Sequence, residues 1–213
     1  MYKNWNADIL GSAKFDGFFE FPVLKNSCSN ICGINKIIPF SKAINSQDTD
    51  CWVCFYEFDY LFERLWNNPK KYLQKLKMFR GIITPDFSMY QDMPLIQQIY
   101  NLYRQRAIGQ WLENEGVRVI ANIRWSDERT YLLSTQGLEC SDVISIGSLG
   151  CIKKKECRNT FYDGLDYVLK KLKPKYIIIY GPLNKMIKKI CDINNTTIVN
   201  FKAYNWRDYK KEW

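Results

Sequence analysis

The sequence predicts an α/β protein with a mostly parallel sheet of about six strands and flanking helices. Three observations carry this reading. From residue 51 onward, apolar runs alternate with stretches of helical period, at about 30 residues per unit. The runs are continuous rather than alternating, as strands buried on both faces require. Pro, Gly and Asn stand between them, where helices start and stop. An open, doubly wound sheet is the expected arrangement. A (β/α) barrel-like arrangement is the alternative, although such barrels usually have about 250 residues.

Each element has its own justification. The first 50 residues show no clear period; they hold Phe15, Phe18, Phe19 and Phe21, then Pro22 and a polar, turn-like stretch over 27–33. Four phenylalanines carry too much apolar surface to stay solvated, so residues 1–50 are expected to pack as an irregular segment on the core. The whole of 1–213 then forms a single domain, with 51–201 as its repeating part. Strands are expected over 51–58, 81–84, 117–125, 143–149, 176–180 and 197–201, with Tyr176-Ile-Ile-Ile-Tyr180 the most apolar. Asn68-Pro69 opens a helix with Leu73, Leu76 and Phe79 on one face. Asp92-Met-Pro94 opens the longest, with Ile96, Ile99, Tyr100, Tyr103, Ala107 and Trp111 on one stripe and Gly116 ending it. Asn159 is placed to cap a third, which buries Phe161, Leu165, Val168, Leu169 and Leu172 and stops at Pro174. Gly181-Pro182 turns into a fourth, over 183–190.

Composition removes several classes of function. With 46% hydrophobic and 25% charged residues, wholesale disorder is excluded. No run reaches the ~20 apolar residues of a membrane span, and Met1 to Trp5 does not open a secretory signal. A cytoplasmic protein with no membrane partner is expected. Histidine is absent, which excludes histidine-based hydrolysis and histidine zinc sites.

Charge is lopsided. The net is +9, yet residues 150–213 hold 15 of the 31 Lys+Arg and only 6 of the 22 Asp+Glu. A one-sided basic surface concentrates anions, and phosphate-bearing partners are the commonest. The plainer reading is a solvated lysine surface. The eight cysteines include Cys28-x3-Cys32 and Cys51-x2-Cys54, four thiols in the number a zinc site uses. The second pair lies in a strand, however, where residues three apart point to opposite faces. Free thiols and no metal are therefore expected.

Particular stretches are familiar. Ile82-Ile-Thr-Pro85-Asp86-Phe87-Ser88-Met-Tyr90-Gln-Asp-Met-Pro94, Gln98-Ile-Tyr-Asn-Leu-Tyr-Arg104, Ala121-Asn122-Ile-Arg124-Trp125 and Tyr180-Gly181 resemble a family known as domain of unknown function 4417. The resemblance covers roughly residues 55–181, with 85–94 its most specific part. It implies a bacteriophage or mobile-element origin, and so a bacterial host cell. It brings no active site, substrate or cofactor with it.

Chemistry is expected at the carboxyl ends of the strands, where loops and helix N-termini converge. Those exits carry Glu57 and Asp59, Asp86 and Ser88, Asn122 and Arg124 with Trp125, Ser145 and Ser148, and Tyr180. Asp59 and Asp86 on neighbouring strands have the donor type to share one Mg²⁺, and Arg124 opposite them would suit phosphoryl chemistry. Equally, Asp59 suits a helix start and Pro85-Asp86 an ordinary turn. Gly147-Ser-Leu-Gly150 runs into Lys153, Lys154 and Lys155, a weak phosphate-loop pattern that matches no standard fingerprint. Trp206 and Arg207 sit in a tail that interleaves aromatics and bases, a composition that suits base stacking as well as docking onto the domain.

Three functions compete. The first is capture of a phosphate-bearing ligand, nucleic acid or nucleotide, at the strand ends. The second is a magnesium-dependent phosphodiester enzyme. The third is an anti-defence protein that binds and blocks a host protein.

Overall fold

Seven short strands lie side by side in the order in which the chain makes them. They are β3 (Ile37–Pro39), β4 (Trp52–Cys54), β5 (Gly81–Ile83), β6 (Val119–Asn122), β7 (Val143–Gly147), β8 (Tyr176–Tyr180) and β9 (Thr197–Phe201), and every neighbouring pair is parallel. The computed structural model describes residues 6–11, 13–25, 31, 33–139, 142–153 and 155–204. Within these, β1 (Phe15–Asp16) and β2 (Phe21–Pro22) form a separate antiparallel hairpin. The helices are α1 (Ala7–Leu10), α2 (Phe40–Ala43), α3 (Asp59–Asn67), α4 (Pro69–Leu76), α5 (Leu95–Asn114), α6 (Glu128–Thr135), α7 (Lys155–Leu172) and α8 (Lys185–Ile193).

Strand order settles the arrangement. Parallel crossovers are right-handed, so steps that never reverse place every connecting helix on the same face. The sheet accordingly curls into a half-barrel. The α/β class and the parallel sheet stand as expected; of the two arrangements, the structure takes the barrel-like one. A doubly wound sheet needs a reversal of strand order, and none occurs among the described residues.

Both faces of the inner strands β4–β8 are buried, which explains their unbroken apolar runs, whereas the edge strands β3 and β9 are half-buried or exposed. Val53, Phe55, Ile82, Val119, Ala121, Ile144, Ile146, Ile177 and Ile179 pack under the helices. Trp52, Cys54, Tyr56, Ile83, Ile120, Val143, Ile178 and Tyr180 form a second cluster on the inner face, with Ile34, Phe201 and Ala203 against it. Cys51 and Cys54 fall into different clusters, on opposite faces as strand geometry requires. Burial pushes the Cys54 thiol up to about 12. Cys28 and Cys32 lie outside the described residues.

Gly81 marks the tightest point of the inner face. A Cβ there would stand 2.5 Å from the ring of Trp52, which is fully buried on the adjacent strand. Gly81→Ala is expected to cost about 1–3 kcal/mol through overpacking. Urea unfolding measures this, and an unchanged midpoint would mean that the indole moves aside freely.

Four departures from the sequence reading have physical causes. Strand β3 lies inside the supposedly irregular segment, because three residues ending in Pro39 are too few to show a period; as the edge strand it tolerates the proline. Phe21 is fully buried, but Phe15, Phe18 and Phe19 remain 51%, 91% and 40% exposed, so hairpin β1–β2 buries one phenylalanine of four. Helix α6 has no clean apolar stripe; it starts at a capping box between Asp127 and Thr130. Helix α7 begins at Lys155, which places Asn159 inside it rather than at its cap.

Helix α5 departs most. Ile96 and Tyr100 of the expected stripe are 68% and 48% exposed, while Gln98, Gln105, Arg106 and Gln110 are buried. The helix is covered on two sides, by the sheet and by α6 with the β1–β2 hairpin. A single apolar stripe would serve only one of those neighbours.

Candidate ligand site at the carboxyl ends of the strands

Period 2 along β4 carries Trp52 and Cys54 to the inner face and delivers Tyr56 to the same face, just past the strand end. Its hydroxyl donates to Asn122 Oδ1 at 3.0 Å and lies 2.6 Å from Ser145 Oγ. Its ring stacks on Tyr180, centroids 4.7 Å apart. Gly147 makes room for this stack: a Cβ there would meet the Tyr56 ring at 2.8 Å and stand 3.7 Å from Asp86 Oδ2. Burial, with the Asp86 charge beside it, pushes the Tyr56 hydroxyl well above its ordinary range, so it stays protonated.

Asn122 turns its amide to the other side and donates from Nδ2 to Asp86 Oδ1 at 2.7 Å. Asp86 Oδ2 faces Arg124 Nη1 at 3.7 Å, with side chains 14% and 17% exposed. Burial raises the Asp86 carboxyl, while Arg124 and the Asn122 amide oppose the rise. The Asp86 charge is the main reason the Arg124 guanidinium is held above its ordinary range, fully protonated. Arg124 is nevertheless poorly satisfied. Among the described residues its Nε is buried without a hydrogen-bond partner, and the one hydrogen bond of Nη1 is a long one to Cys151 Sγ at 3.7 Å.

Asp59 and Ser88 form a second unit beside this one. Both Asp59 oxygens are occupied, Oδ2 by the Ser88 N–H at 3.0 Å and Oδ1 by the Ser88 hydroxyl at 2.8 Å. Helix α5 pins the same loop from below: Asn101 Nδ2 donates to Ser88 O at 2.6 Å, and Gln105 Nε2 to Pro85 O at 2.7 Å. The buried polar side of α5 therefore serves to hold the 85–90 segment in place. A shared Mg²⁺ would require Asp59 to leave Ser88 and Asp86 to turn from Asn122 and Arg124.

Of the residues expected at the site, Asp86 contacts both Asn122 and Arg124, and Tyr180 joins them through Tyr56. Ser148 does not; its hydroxyl donates to Pro182 O at 2.8 Å and ties the β7 and β8 exits together. Trp125 points away, buried under α7 and stacked on Phe161 at 5.5 Å, because consecutive residues alternate in direction. Glu57 accepts from the Ser41 N–H at 3.0 Å and from its hydroxyl, outside the cluster. Lys153 is exposed on the loop that carries Cys151, and Lys155 is exposed at the start of α7. Lys154, Trp206 and Arg207 lie outside the described residues. The sequence reading passed over Tyr56, Asn101, Gln105 and Cys151. Tyr56 was detectable from the period of β4, and Gln98, Asn101 and Gln105 from their helical spacing on α5.

A sequentially wound parallel half-barrel with a buried polar cluster at the carboxyl ends of its strands defines the class of protein. The chain belongs to the family Domain of unknown function (DUF4417), whose model matches residues 13–202, so β1, β2, β3 and β9 lie within the family as well as the stretch recognised by its motifs. It is similar to the Gene 1 protein of Mycobacterium phage L5, 29% identical over 159 residues, covering 75% of this chain and 67% of that protein. The Gene 1 protein of Mycobacterium phage D29 is 28% identical over 158 residues, 74% of this chain and 57% of its own length. The chain thus spans about two thirds of one relative and little more than half of the other. No solved structure matches. Among the described residues, no helix is long and apolar enough to cross a membrane.

Proposed function

We propose that this phage-family protein captures a phosphate-bearing ligand, nucleic acid or nucleotide, at the carboxyl ends of its strands. One observation carries the reading: a buried guanidinium kept charged by Asp86 against the cost of its burial, yet donating no hydrogen bond to an oxygen atom among the described residues. Guanidinium normally forks onto a carboxylate with two short bonds. At 3.7 Å from Asp86, Arg124 keeps its charge and leaves donor capacity for a ligand anion. The basic balance of residues 150–213 would raise the local concentration of such anions.

Titration calorimetry with pyrophosphate, thymidine monophosphate and a short oligothymidylate tests this. At least one should bind, and Arg124→Gln should weaken it by roughly tenfold or more, the worth of a charge-assisted hydrogen bond. Thermal unfolding of the variant controls for folding. If none binds at millimolar concentration, or if binding ignores Arg124→Gln, the proposal fails.

A further inference from the structure

Helices α7 and α8 lie side by side on the helical face of the sheet and are pinned to each other at both ends of α8. Asn184 Nδ2 donates to the Tyr162 hydroxyl at 2.7 Å, and Asn194 Nδ2 to Asp166 Oδ1 at 3.1 Å. Two open clefts of about 560 and 410 Å³ run along the pair; they share Lys170 and Ile193 and so form one groove. Along α7 its lining runs from Asn159 to Lys173, roughly 21 Å of helix. Helix α8 buries Ile187, Ile190 and Cys191. Met186 and Ile193, two turns apart on its groove side, nevertheless remain 45% and 63% exposed.

The charges of the groove are unbalanced. Four lysines, Lys170, Lys173, Lys175 and Lys189, line it against two aspartates, Asp163 and Asp166. Lys170 is engaged by Asp166 at 2.6 Å and Lys175 by Asp142 at 3.1 Å. Lys173 and Lys189 are exposed and form no ion pair among the described residues. We infer that this groove receives an acidic amphipathic helix of a partner protein. Such a helix presents apolar residues at i, i+3, i+4 and i+7, the form that fills an elongated groove. Its apolar face covers Met186 and Ile193, and its carboxylates meet Lys173 and Lys189. A second copy of this chain would bring the same surplus of lysines and be repelled. Nucleic acid would answer to the lysines but leave the two apolar side chains in water. A small molecule calls for a pocket that encloses most of its surface, whereas this groove is open along its length. Because α7 and α8 are already pinned together, little ordering is needed when the partner docks. The inference does not involve Arg124, so it and the capture reading stand or fall separately.

The test is selection against the full chain from a displayed library of helical peptides of about 15 residues, the length of the groove. Fluorescence anisotropy then measures the enriched sequences. They should carry apolar residues at i, i+3, i+4 and i+7 and an excess of Glu and Asp. Ile193→Ser should weaken their binding by roughly 5- to 100-fold, the worth of one isoleucine taken out of water. Lys173→Glu and Lys189→Glu should each weaken it by roughly 2- to 5-fold and reduce its dependence on salt. All three positions are exposed, and thermal unfolding controls for folding. Arg124→Gln should leave peptide binding unchanged. No enrichment, enrichment of basic peptides, or binding that ignores Ile193→Ser overturns the inference. A dimer in sedimentation velocity that Ile193→Ser dissociates also overturns it, by assigning the groove to a second copy. Oligothymidylate binding that both lysine variants abolish and Ile193→Ser spares overturns it too, by assigning the lysines to nucleic acid.

Discussion

Asp86→Ala is expected to destabilise the protein by about 3–5 kcal/mol, the cost of leaving a buried charge without its partner. For a chain of this size that lowers the thermal midpoint by roughly 10 °C. Asp86 accepts the Asn122 amide at 2.7 Å and faces Arg124 at 3.7 Å, with both side chains mostly out of water. Removing the carboxylate strands the guanidinium, whose Nε already lacks a partner among the described residues, and leaves the Asn122 amide without its acceptor. The double variant Asp86→Ala, Arg124→Leu should recover much of the loss, because replacing both members removes the uncompensated charge. Urea unfolding of the single and double variants measures the coupling directly, and simple addition of the two losses would show that the pair is not energetically linked. The pH dependence has a definite sign. Burial raises the Asp86 carboxyl above its unfolded value, so its contribution to stability is fully present below the unfolded pKa and is lost as pH rises through the folded pKa. Asp86→Asn should remove that part of the acid-side slope.

Arg106→Met should cost a comparable amount, about 3–5 kcal/mol, for a different reason. Arg106 is completely buried on α5. Its Nη2 donates to Ser134 O at 2.6 Å, its Nε to Gln136 O at 3.0 Å, and its Nη1 to Gln105 Oε1. Ser134 and Gln136 stand at the carboxyl end of α6, where backbone carbonyls have no partner within the helix. Burial drives the Arg106 pKa down to about 9, which reports how costly its charge is there; the carbonyls it satisfies are the return. Methionine fills most of the volume but supplies no donor. Arg106→Lys should rescue little, because one ammonium cannot reach three acceptors held in a planar fork. Hydrogen exchange should show α6 losing protection first, along with the neighbouring Leu24–Leu138 bridge. If the α6 amides keep parental protection in Arg106→Met, the carbonyls have found water and the capping role is wrong.

How much of this was legible differs by element. The strands at 176–180 and 197–201 were read residue for residue, since β-branched runs bounded by Pro, Gly and Asn have no competing interpretation. The location of the polar cluster was legible too. Parallel strands end at the same edge, so Asp86, Asn122 and Tyr180 had to converge. The direct contact of Asp86 with Asn122 depends on the pairing of Ile83 with Ile120, a register invisible in the linear pattern because both partners are apolar and buried. Trp125, expected at the same exit as Arg124, is one step on in the alternation and is buried against Phe161 instead. Tyr60 and Tyr90 look like core residues by composition, yet they are 75% and 57% exposed.

The sequence by itself determined the α/β class, the parallel pairing and the end of the sheet at which polar chemistry gathers. Those features follow from local periodicity and from the handedness of the chain, and both are written into neighbouring residues. The tertiary structure alone decided that the strands are wound in one direction, which no apolar run encodes because the inner strands β4–β8 are buried on both faces alike. It alone decided the roles of Gln105, Arg106 and Asn101, polar residues that interrupt an apolar stripe until the loop and the helix end they hold are in place. It also left Arg124 3.7 Å from its carboxylate with a donor unspent, a matter of packing rather than of residue type.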